Sequence, residues 1–218
     1  MSQLAFDLGH RPAFGREDFL VASGSRDAVG WIDRWPNWPG HALALHGPAG
    51  CGKTHLAHVF ALRTKASIIA GADLQESAVA KLVEDNAALV LEDGENTKSE
   101  HALLHLFNAL KERSGFLLLT GREPPARWKF KLADLTSRLA AVPSVRISPP
   151  DDALMEAVLV KLFSDRQLSI DPDVVGYLMR RMDRSFAAAR DIVAKADTAA
   201  LAGKRAITVP LMREILES

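Results

Sequence analysis

The feature that most constrains the fold is the octapeptide GPAGCGKT at residues 47–54. It satisfies the pattern G-x-x-x-x-G-K-[ST], and it lies between a short apolar run at 41–46 and a helical pattern at 54–63. In a strand, glycine-rich turn and helix of this kind, backbone N–H groups curl around phosphate oxygens at the helix N-terminus. The octapeptide therefore predicts a phosphate-binding loop in an α/β fold.

The side chains of this loop have separate predicted roles. Lys53 is predicted to contact the β and γ phosphates of ATP or ADP, and the Thr54 hydroxyl is predicted to ligate Mg²⁺. Cys51 is expected to contribute only its backbone. The complete predicted nucleotide-binding set is Gly47, Pro48, Ala49, Gly50, Cys51, Gly52, Lys53, Thr54 and His55.

The rest of the chain indicates a parallel sheet followed by a helical unit. Short apolar runs occur at 41–46, 67–70, 88–91, 116–120 and 145–147, and helical patterns separate them. Runs that are apolar on both faces are typical of a parallel sheet covered on both sides by helices. After residue 149 the strand-like runs stop, and helical patterns follow at 151–165, 172–182, 186–201 and 209–216. We therefore predict an extended arm at 1–18, an α/β domain at 19–149 and a small all-helical domain at 150–218.

Composition excludes several classes of protein. Twenty-seven basic and 27 acidic residues give a formal net charge of zero, so the chain has no overall field that attracts DNA or an anionic membrane. The single cysteine excludes an internal disulfide framework and fits a reducing compartment. The chain begins without a basic leader and apolar core, and no apolar run is long enough to span a bilayer. We expect a cytoplasmic protein with no membrane partner.

Two adjacent carboxylates follow the third apolar run. Glu92 and Asp93 come directly after Leu89–Leu91, where P-loop proteins place an acidic residue beside the magnesium ion. We interpret Glu92 as the magnesium-facing residue and both carboxylates as catalytic candidates. The usual order begins with Asp, so Glu92 is one methylene longer, and Mg²⁺ tolerates little geometric deviation. The pair therefore predicts that the chain hydrolyses ATP weakly by itself.

Further motifs resemble those of the DnaA-type initiator ATPases and occur in the same order. They are GPAGCGKTHL at 47–56, FNAL at 107–110, LTGREPP at 119–125 and DLTSRL at 134–139. The stretches RRMDRSF at 180–186 and AITVPLMREIL at 206–216 are similar to the Hda family, short DnaA homologues that inactivate the initiator after replication starts. This resemblance runs from about Phe19 to the C-terminus. It implies an AAA+ fold, with a parallel sheet sandwiched by helices and a small helical lid, that binds ATP or ADP with Mg²⁺.

The resemblance also implies roles for residues near the phosphates. Arg138 falls on the family's arginine finger, which would stabilise charge on a nucleotide bound to another subunit; the alternative is a solvated helix arginine. Arg122 stands where initiators have an acidic residue, and Ala187 stands where they have the second-sensor arginine. Arg184 or Arg190 is left open as a substitute for the latter. These departures, with Glu92, imply good nucleotide binding and poor hydrolysis.

The N-terminal hexapeptide at 3–8, QLAFDL, is similar to the motif by which bacterial replication proteins bind the β sliding clamp. An extended peptide with a glutamine and alternating apolar side chains can fill a preformed pocket. Gln3, Leu4, Phe6 and Leu8 are therefore the predicted clamp contacts, and an ordinary N-terminal tail is the alternative.

Three functional hypotheses follow. The leading one is an Hda-like regulator that binds the clamp, reaches DNA only through it, and stimulates hydrolysis of ATP on a DnaA-type initiator through Arg138. The rivals are a DnaA paralogue that binds DNA and a stand-alone AAA+ ATPase of the helicase-loader type. We expect the segment after residue 149 to form a helical lid only, with no further helix-turn-helix module and no basic surplus, which disfavours the DNA-binding paralogue. The resident nucleotide and homo-oligomerisation are left open.

Overall fold

The computed structural model describes residues 23–203 and 205–217. The predicted clamp contacts Gln3, Leu4, Phe6 and Leu8 lie outside the described residues, as does the whole predicted arm at 1–18. The arm and its motif therefore stay predictions.

A parallel sheet forms the centre of the N-terminal half. Among the described residues its strands are β1 (Ala42–His46), β2 (Ser67–Ala70), β3 (Ala88–Glu92), β4 (Phe116–Gly121) and β5 (Ser144–Arg146). All neighbouring strands pair in parallel, in the order β2-β3-β4-β1-β5. Each apolar run of the sequence forms one strand, so the predicted parallel sheet is confirmed.

The helices alternate with the strands and then continue alone. In the described part of the chain they are α1 (Arg26–Asp33), α2 (Lys53–Thr64), α3 (Glu76–Asp85), α4 (Glu100–Glu112), α5 (Ala133–Ala140), α6 (Asp152–Ser164), α7 (Pro172–Arg181), α8 (Phe186–Gly203) and α9 (Val209–Glu217). Each helix of the described residues is too short or too polar to cross a membrane.

Strand side chains alternate between two hydrophobic layers. In β1, Leu43 and Leu45 pack with α1 and α2, whereas Ala42 and Ala44 pack with α3, α4 and α5. This period of two follows from the pleat of a strand, which directs successive side chains to opposite faces. The two layers together make the α/β sandwich that the sequence predicts.

The edge strand β2 departs from the prediction of burial on both faces. Ser67 and Ala70 are exposed and Ile68 and Ile69 are half-buried. β2 pairs only with β3 among the described strands, so it lies at the margin of both helical layers. Its position in the sheet, which apolar runs do not encode, explains the difference.

The helices after β5 build a separate hydrophobic core. The buried side chains of this core come from α6 to α9 and the segment before α9, and its largest fully buried member is Phe163. Asp151 caps α6, because its Oδ1 accepts a hydrogen bond of 2.8 Å from the Leu154 N–H. Pro172 lies in the first turn of α7, where its missing N–H costs no helical hydrogen bond. The all-helical C-terminal unit is as predicted.

Candidate functional site

The phosphate-binding loop joins the end of β1 to the start of α2, as the octapeptide predicts. The strand ends at His46 and the helix begins at Lys53, so residues 47–52 form the turn. A Cβ at Gly47 would lie 2.2 Å from the carbonyl oxygen of Ile147, the residue that follows β5, so only glycine fits at position 47. The loop therefore closes tightly at the carboxyl edge of the sheet, in front of the N-terminus of α2.

Lys53 places a cation inside the curve of this loop. Its Nζ donates hydrogen bonds to the carbonyl oxygens of Gly47, at 2.8 Å, and Pro48, at 2.9 Å, and only 8% of the residue is exposed. The Cys51 Sγ lies 4.0 Å from Nζ. The Cys51 thiol is buried, and this burial raises its pKa. Thr54 is exposed in the first turn of α2, and His55 beside it is half-buried. The loop thus combines backbone N–H groups, an ammonium and a hydroxyl.

The two predicted carboxylates point in different directions. Glu92 is the last residue of β3, and alternation along the strand puts it on the face of Val90, which α2 covers. Its Oε1 is buried and accepts no hydrogen bond from the described residues. Asp93 turns the chain with φ of 48° and is exposed. Glu92, rather than Asp93, is thus directed toward the layer of the phosphate-binding loop.

Strand β4 lies between Glu92 and the loop. Thr120, near the end of β4, is 1% exposed, and its Oγ1 accepts a hydrogen bond of 3.1 Å from the Asp93 N–H. Thr120 pairs in register with Leu45 of β1. Because β4 lies between β3 and β1, the ends of those two strands are separated by about two strand spacings, roughly 10 Å. Sequence reasoning missed Thr120, although it lies within the LTGREPP motif.

His46 is a second residue at this edge that sequence reasoning missed. It pairs in register with Gly121 of β4 and Arg146 of β5. Burial, and then the charge of Arg146, lowers the pKa of His46, while the charge of Glu123 opposes the shift. The imidazole is therefore predominantly neutral at neutral pH, next to the cationic loop.

The lid contacts the loop directly at Gly50. The Phe186 N–H, at the start of α8, donates a hydrogen bond of 3.1 Å to the Gly50 carbonyl oxygen. Gly50 has φ of +73°, and a Cβ there would lie 2.2 Å from the Ser185 Cβ. Ser185 also caps α8, since its Oγ accepts a hydrogen bond from the Ala188 N–H at 3.1 Å. No sequence signal links positions so far apart, so this contact was not predicted.

The candidate second-sensor residues lie around this contact. Ala187 is exposed in the first turn of α8 and offers no charge. Arg184 pairs with Asp152 of α6 at 2.7 Å, and Arg190 is exposed one turn further along α8. Arg184 is therefore engaged within the lid.

The segment after β4 is held by contacts that its sequence does not predict. The Arg122 N–H donates a hydrogen bond of 2.8 Å to Oε1 of Glu95. Trp128 is buried and packs so closely on Gly94 that a Cβ there would lie 2.4 Å from its ring. The Trp128 Nε1–H donates to the Glu123 carbonyl oxygen at 2.9 Å. These contacts direct the chain from the sheet edge to α5.

Arg138 lies on the opposite helical layer from the phosphate-binding loop. Helix α5 packs through Leu135 and Leu139 on the face of the sheet that α2 does not cover. The Arg138 guanidinium faces Asp134 one turn earlier, with Nε 3.1 Å from Oδ1 and Nη2 donating to Oδ2 at 3.2 Å. One third of the Arg138 side chain is exposed, at 33%. The structure therefore brings Glu92 toward the loop but leaves Arg138 in the other layer.

Comparison with known proteins identifies the lid and the fold. Residues 152–216 match the family model described as "Hda, lid domain". Domain III of the replication initiation protein DnaA from Thermotoga maritima superimposes with a TM-score of 0.81 at 17% identity, covering 95% of this chain and 97% of that one.

Two further solved structures share the fold over most of the chain. AMPPCP-bound DnaA from Aquifex aeolicus has a TM-score of 0.70 at 18% identity, covering 88% of this chain and 68% of that one. A RuvB variant from Thermotoga maritima has a TM-score of 0.70 at 17% identity, covering 89% and 67%. The C-terminal helical unit thus matches the lid domain of the Hda family, and the chain as a whole shares its fold with DnaA domain III.

Proposed function

We propose that this chain is a regulator of replication initiation that binds adenine nucleotide and stimulates hydrolysis of ATP on a DnaA-type initiator. It acts in the cytoplasm, at the replisome or nucleoid, tethered to the β sliding clamp through residues 3–8. The observation that carries the proposal is the placement of Arg138. Its guanidinium pairs with Asp134 on α5, in the helical layer opposite the chain's own phosphate-binding loop.

The residues of the loop fit the phosphates of a nucleotide. Gly47 leaves no room for a side chain, the backbone curves at the N-terminus of α2, and Lys53 supplies a buried ammonium. The AMPPCP-bound state of the Aquifex aeolicus DnaA relative supports an adenine nucleotide here. Bound in this loop, the nucleotide would supply a phosphate group that fixes the conformation of the loop and of the lid segment contacting Gly50.

A magnesium ion also fits these residues. Mg²⁺ is commonly held by one or two protein ligands together with phosphate oxygens and waters. Thr54 would supply a hydroxyl and Glu92 a carboxylate whose buried Oε1 accepts no hydrogen bond from the described residues. With Glu92, Arg122 and Ala187 in place of the usual groups, we propose that hydrolysis of the chain's own nucleotide is slow.

Arg138 would act on the partner's ATP through charge and shape. A planar guanidinium can bridge two phosphate oxygens, and an arginine finger is worth about 10³–10⁵ in rate. The competing ion pair with Asp134 is a partly exposed pair one turn apart on a helix, and such pairs are worth only about 0.3–0.5 kcal/mol. Asp134 therefore orients the guanidinium without competing seriously with a triphosphate.

Substitution of Arg138 tests this proposal. The initiator of the same species is preloaded with labelled ATP, mixed with the full-length chain and DNA-loaded clamp, and followed in single turnover. Arg138→Ala should lower the stimulated rate about 10³-fold or more, and Arg138→Lys should recover little, because an ammonium lacks the planar fork. ADP binding and clamp binding should be retained by both variants.

Arg205→Ala is the matched control, since Arg205 is an exposed arginine paired with Glu214 at 3.4 Å in the lid. It should stimulate the initiator at the parental rate. A near-parental rate for Arg138→Ala would show that Arg138 is a surface residue and would remove the proposed function.

The intact loop also favours a second candidate, an ATPase that works by its own turnover. Lys53 and Thr54 satisfy the motif that such enzymes need. Steady-state turnover of the isolated chain, with and without single-stranded DNA, separates the two functions. Sustained turnover that DNA accelerates would favour the stand-alone ATPase, whereas turnover that stays slow and independent of DNA would favour the regulator.

A further inference from the structure

The Glu100 side chain contacts the backbone of a distant segment. It is the first residue of α4, and its carboxylate accepts hydrogen bonds from two consecutive backbone N–H groups more than thirty residues later. The Lys131 N–H lies 3.0 Å from Oε1 and 2.9 Å from Oε2. The Leu132 N–H lies 2.6 Å from Oε2. Hydrogen bonds to an ionised carboxylate are roughly twice as strong as neutral ones.

These two N–H groups lie at the entrance to α5. Leu132 is the N-cap of that helix, and its side chain has no oxygen with which to cap it. The Leu132 carbonyl oxygen accepts hydrogen bonds from the Thr136 N–H, at 3.0 Å, and from the Thr136 hydroxyl, at 3.1 Å. Leu132 is therefore held on both sides: its N–H by Glu100 and its carbonyl by the first turn of α5.

The other anchors of α5 are apolar, and they include Leu132 before the helix and Val142 after it. The helix has only eight residues, from Ala133 to Ala140, and its buried side chains are Leu135 and Leu139. Apolar packing is non-directional, so two leucines one turn apart resist removal of the helix more than they resist its rotation or a slide along its axis. A pair of directed hydrogen bonds at the first turn restricts both movements.

We infer that Glu100 is a positioning residue for Arg138: by holding the start of α5 against the start of α4, it sets where the guanidinium projects from the surface. The inference rests on the proposed function, because it assigns Glu100 a role only through the action of Arg138 on a partner's nucleotide. Glu100 would act only through Arg138, so it is a positioning residue and not a catalytic one. The hydrogen bonds from Lys131 and Leu132 lower the pKa of the Glu100 carboxyl, so it is ionised at neutral pH.

The distance scale of catalysis makes such a role consequential. A misplacement of about 1 Å at a reacting group can cost about 10²-fold in rate. A side chain as long as arginine, on a short surface helix, magnifies any rotation of its helix. The inference therefore predicts a large loss of partner stimulation from substitution of a residue that acts only through the position of another side chain.

Two substitutions of Glu100 test whether the hydrogen bonds that its carboxylate accepts position Arg138. Glu100→Ala removes both acceptors and should lower the stimulated rate of initiator hydrolysis roughly ten- to a hundredfold. Glu100→Gln keeps one carbonyl oxygen, and in the parent a single oxygen, Oε2, already accepts from both N–H groups. The glutamine variant should therefore recover most of the rate. Glu112→Ala, an exposed glutamate at the other end of α4, is the control and should be parental.

A second readout follows the contact itself. Amide hydrogen exchange in the full-length chain should accelerate at Lys131 and Leu132 in Glu100→Ala, return toward the parent in Glu100→Gln, and stay unchanged in Glu112→Ala. Stabilisation by ADP should be the same in all four proteins, because the loop lies in the other helical layer. A loss of ADP stabilisation that accompanies the loss of stimulation would show a general structural defect and overturn the positioning role.

Combination with Arg138→Ala separates the inference from the proposed function. If Glu100 acts through Arg138, Glu100→Ala should reduce stimulation no further in the Arg138→Ala background. A parental rate for Glu100→Ala, beside an inactive Arg138→Ala, would overturn the inference and leave the proposed function standing. A parental rate for Arg138→Ala would instead overturn the proposed function, and the positioning role with it.

Discussion

Lys53 is the residue on which the proposed nucleotide binding would depend most directly. Its ammonium donates hydrogen bonds to two carbonyl oxygens of the loop, those of Gly47 and Pro48. Its two bonds are local to the loop, whereas the sheet is held by the buried side chains of both layers. The chemistry of the site and the stability of the domain are therefore separable at this position.

Lys53→Ala should abolish most of the stabilisation by ADP and leave the ligand-free fold nearly unchanged. A ligand at a hundred times its Kd stabilises a protein by about 2.7 kcal/mol, which a thermal shift detects readily. Loss of the two hydrogen bonds should change ligand-free stability by about 1 kcal/mol. Lys81→Ala, an exposed lysine on α3, is the control. An ADP shift as large in Lys53→Ala as in the parent would contradict the assignment of the site.

At the scale of elements, the contact between α8 and the phosphate-binding loop joins the two cores. The hydrogen bond from the Phe186 N–H to Gly50 brings the first turn of the lid helix onto the loop. Ser185 fills the space where a side chain at position 50 would project. The loop and the lid are therefore in direct contact at position 50.

Gly50→Ala should destabilise the protein, because position 50 has φ of +73° and its new Cβ would meet Ser185 at 2.2 Å. A residue forced into this backbone region costs about 1–3 kcal/mol. Gly30→Ala is the matched control: position 30 lies inside α1 with nothing within 4 Å of a new Cβ. It should stabilise the protein by about 0.5–1 kcal/mol, since alanine favours a helix interior. Urea unfolding of the three proteins measures both signs, and equal midpoints for Gly50→Ala and the parent would disprove the contact.

At the scale of the whole molecule, the proposed activities occupy separate parts of the chain. The loop lies in one helical layer, Arg138 lies in the other, and the predicted clamp motif precedes the described residues. A regulator of this kind can therefore lose one activity without losing the others.

Replacement of Gln3, Leu4, Phe6 and Leu8 by alanine should abolish retention on immobilised clamp and leave ADP binding at the parental level. Two or three buried side chains usually carry most of the energy of such a peptide interface, so the combined loss should be complete. Arg138→Ala should still be retained on the clamp, which makes it the control. Undiminished retention of the fourfold variant would return residues 3–8 to an ordinary N-terminal tail.

Much of the fold could be predicted because its signals are local in the chain. The octapeptide at 47–54 contains every group the loop needs, and the apolar runs each became one strand. The lid helices were predicted for the same reason, since capping residues such as Asp151 and helical periodicity act within a few residues. The Asp134–Arg138 ion pair is also local, because the two residues are four apart on one helix, a spacing that the sequence itself contains.

The sequence by itself thus determined the phosphate-binding loop, the parallel strands and the helical C-terminal unit, because each depends on neighbours along the chain. The sequence already led to the interpretation of Glu92 as the magnesium-facing residue, whereas the turn at Asp93, with φ of 48°, was decided by the tertiary structure. It alone placed β2 at the sheet edge, Phe186 on Gly50 and Glu100 on Leu132. Those contacts join segments far apart in sequence, and neither periodicity nor motif spacing encodes which distant backbone group a side chain will meet.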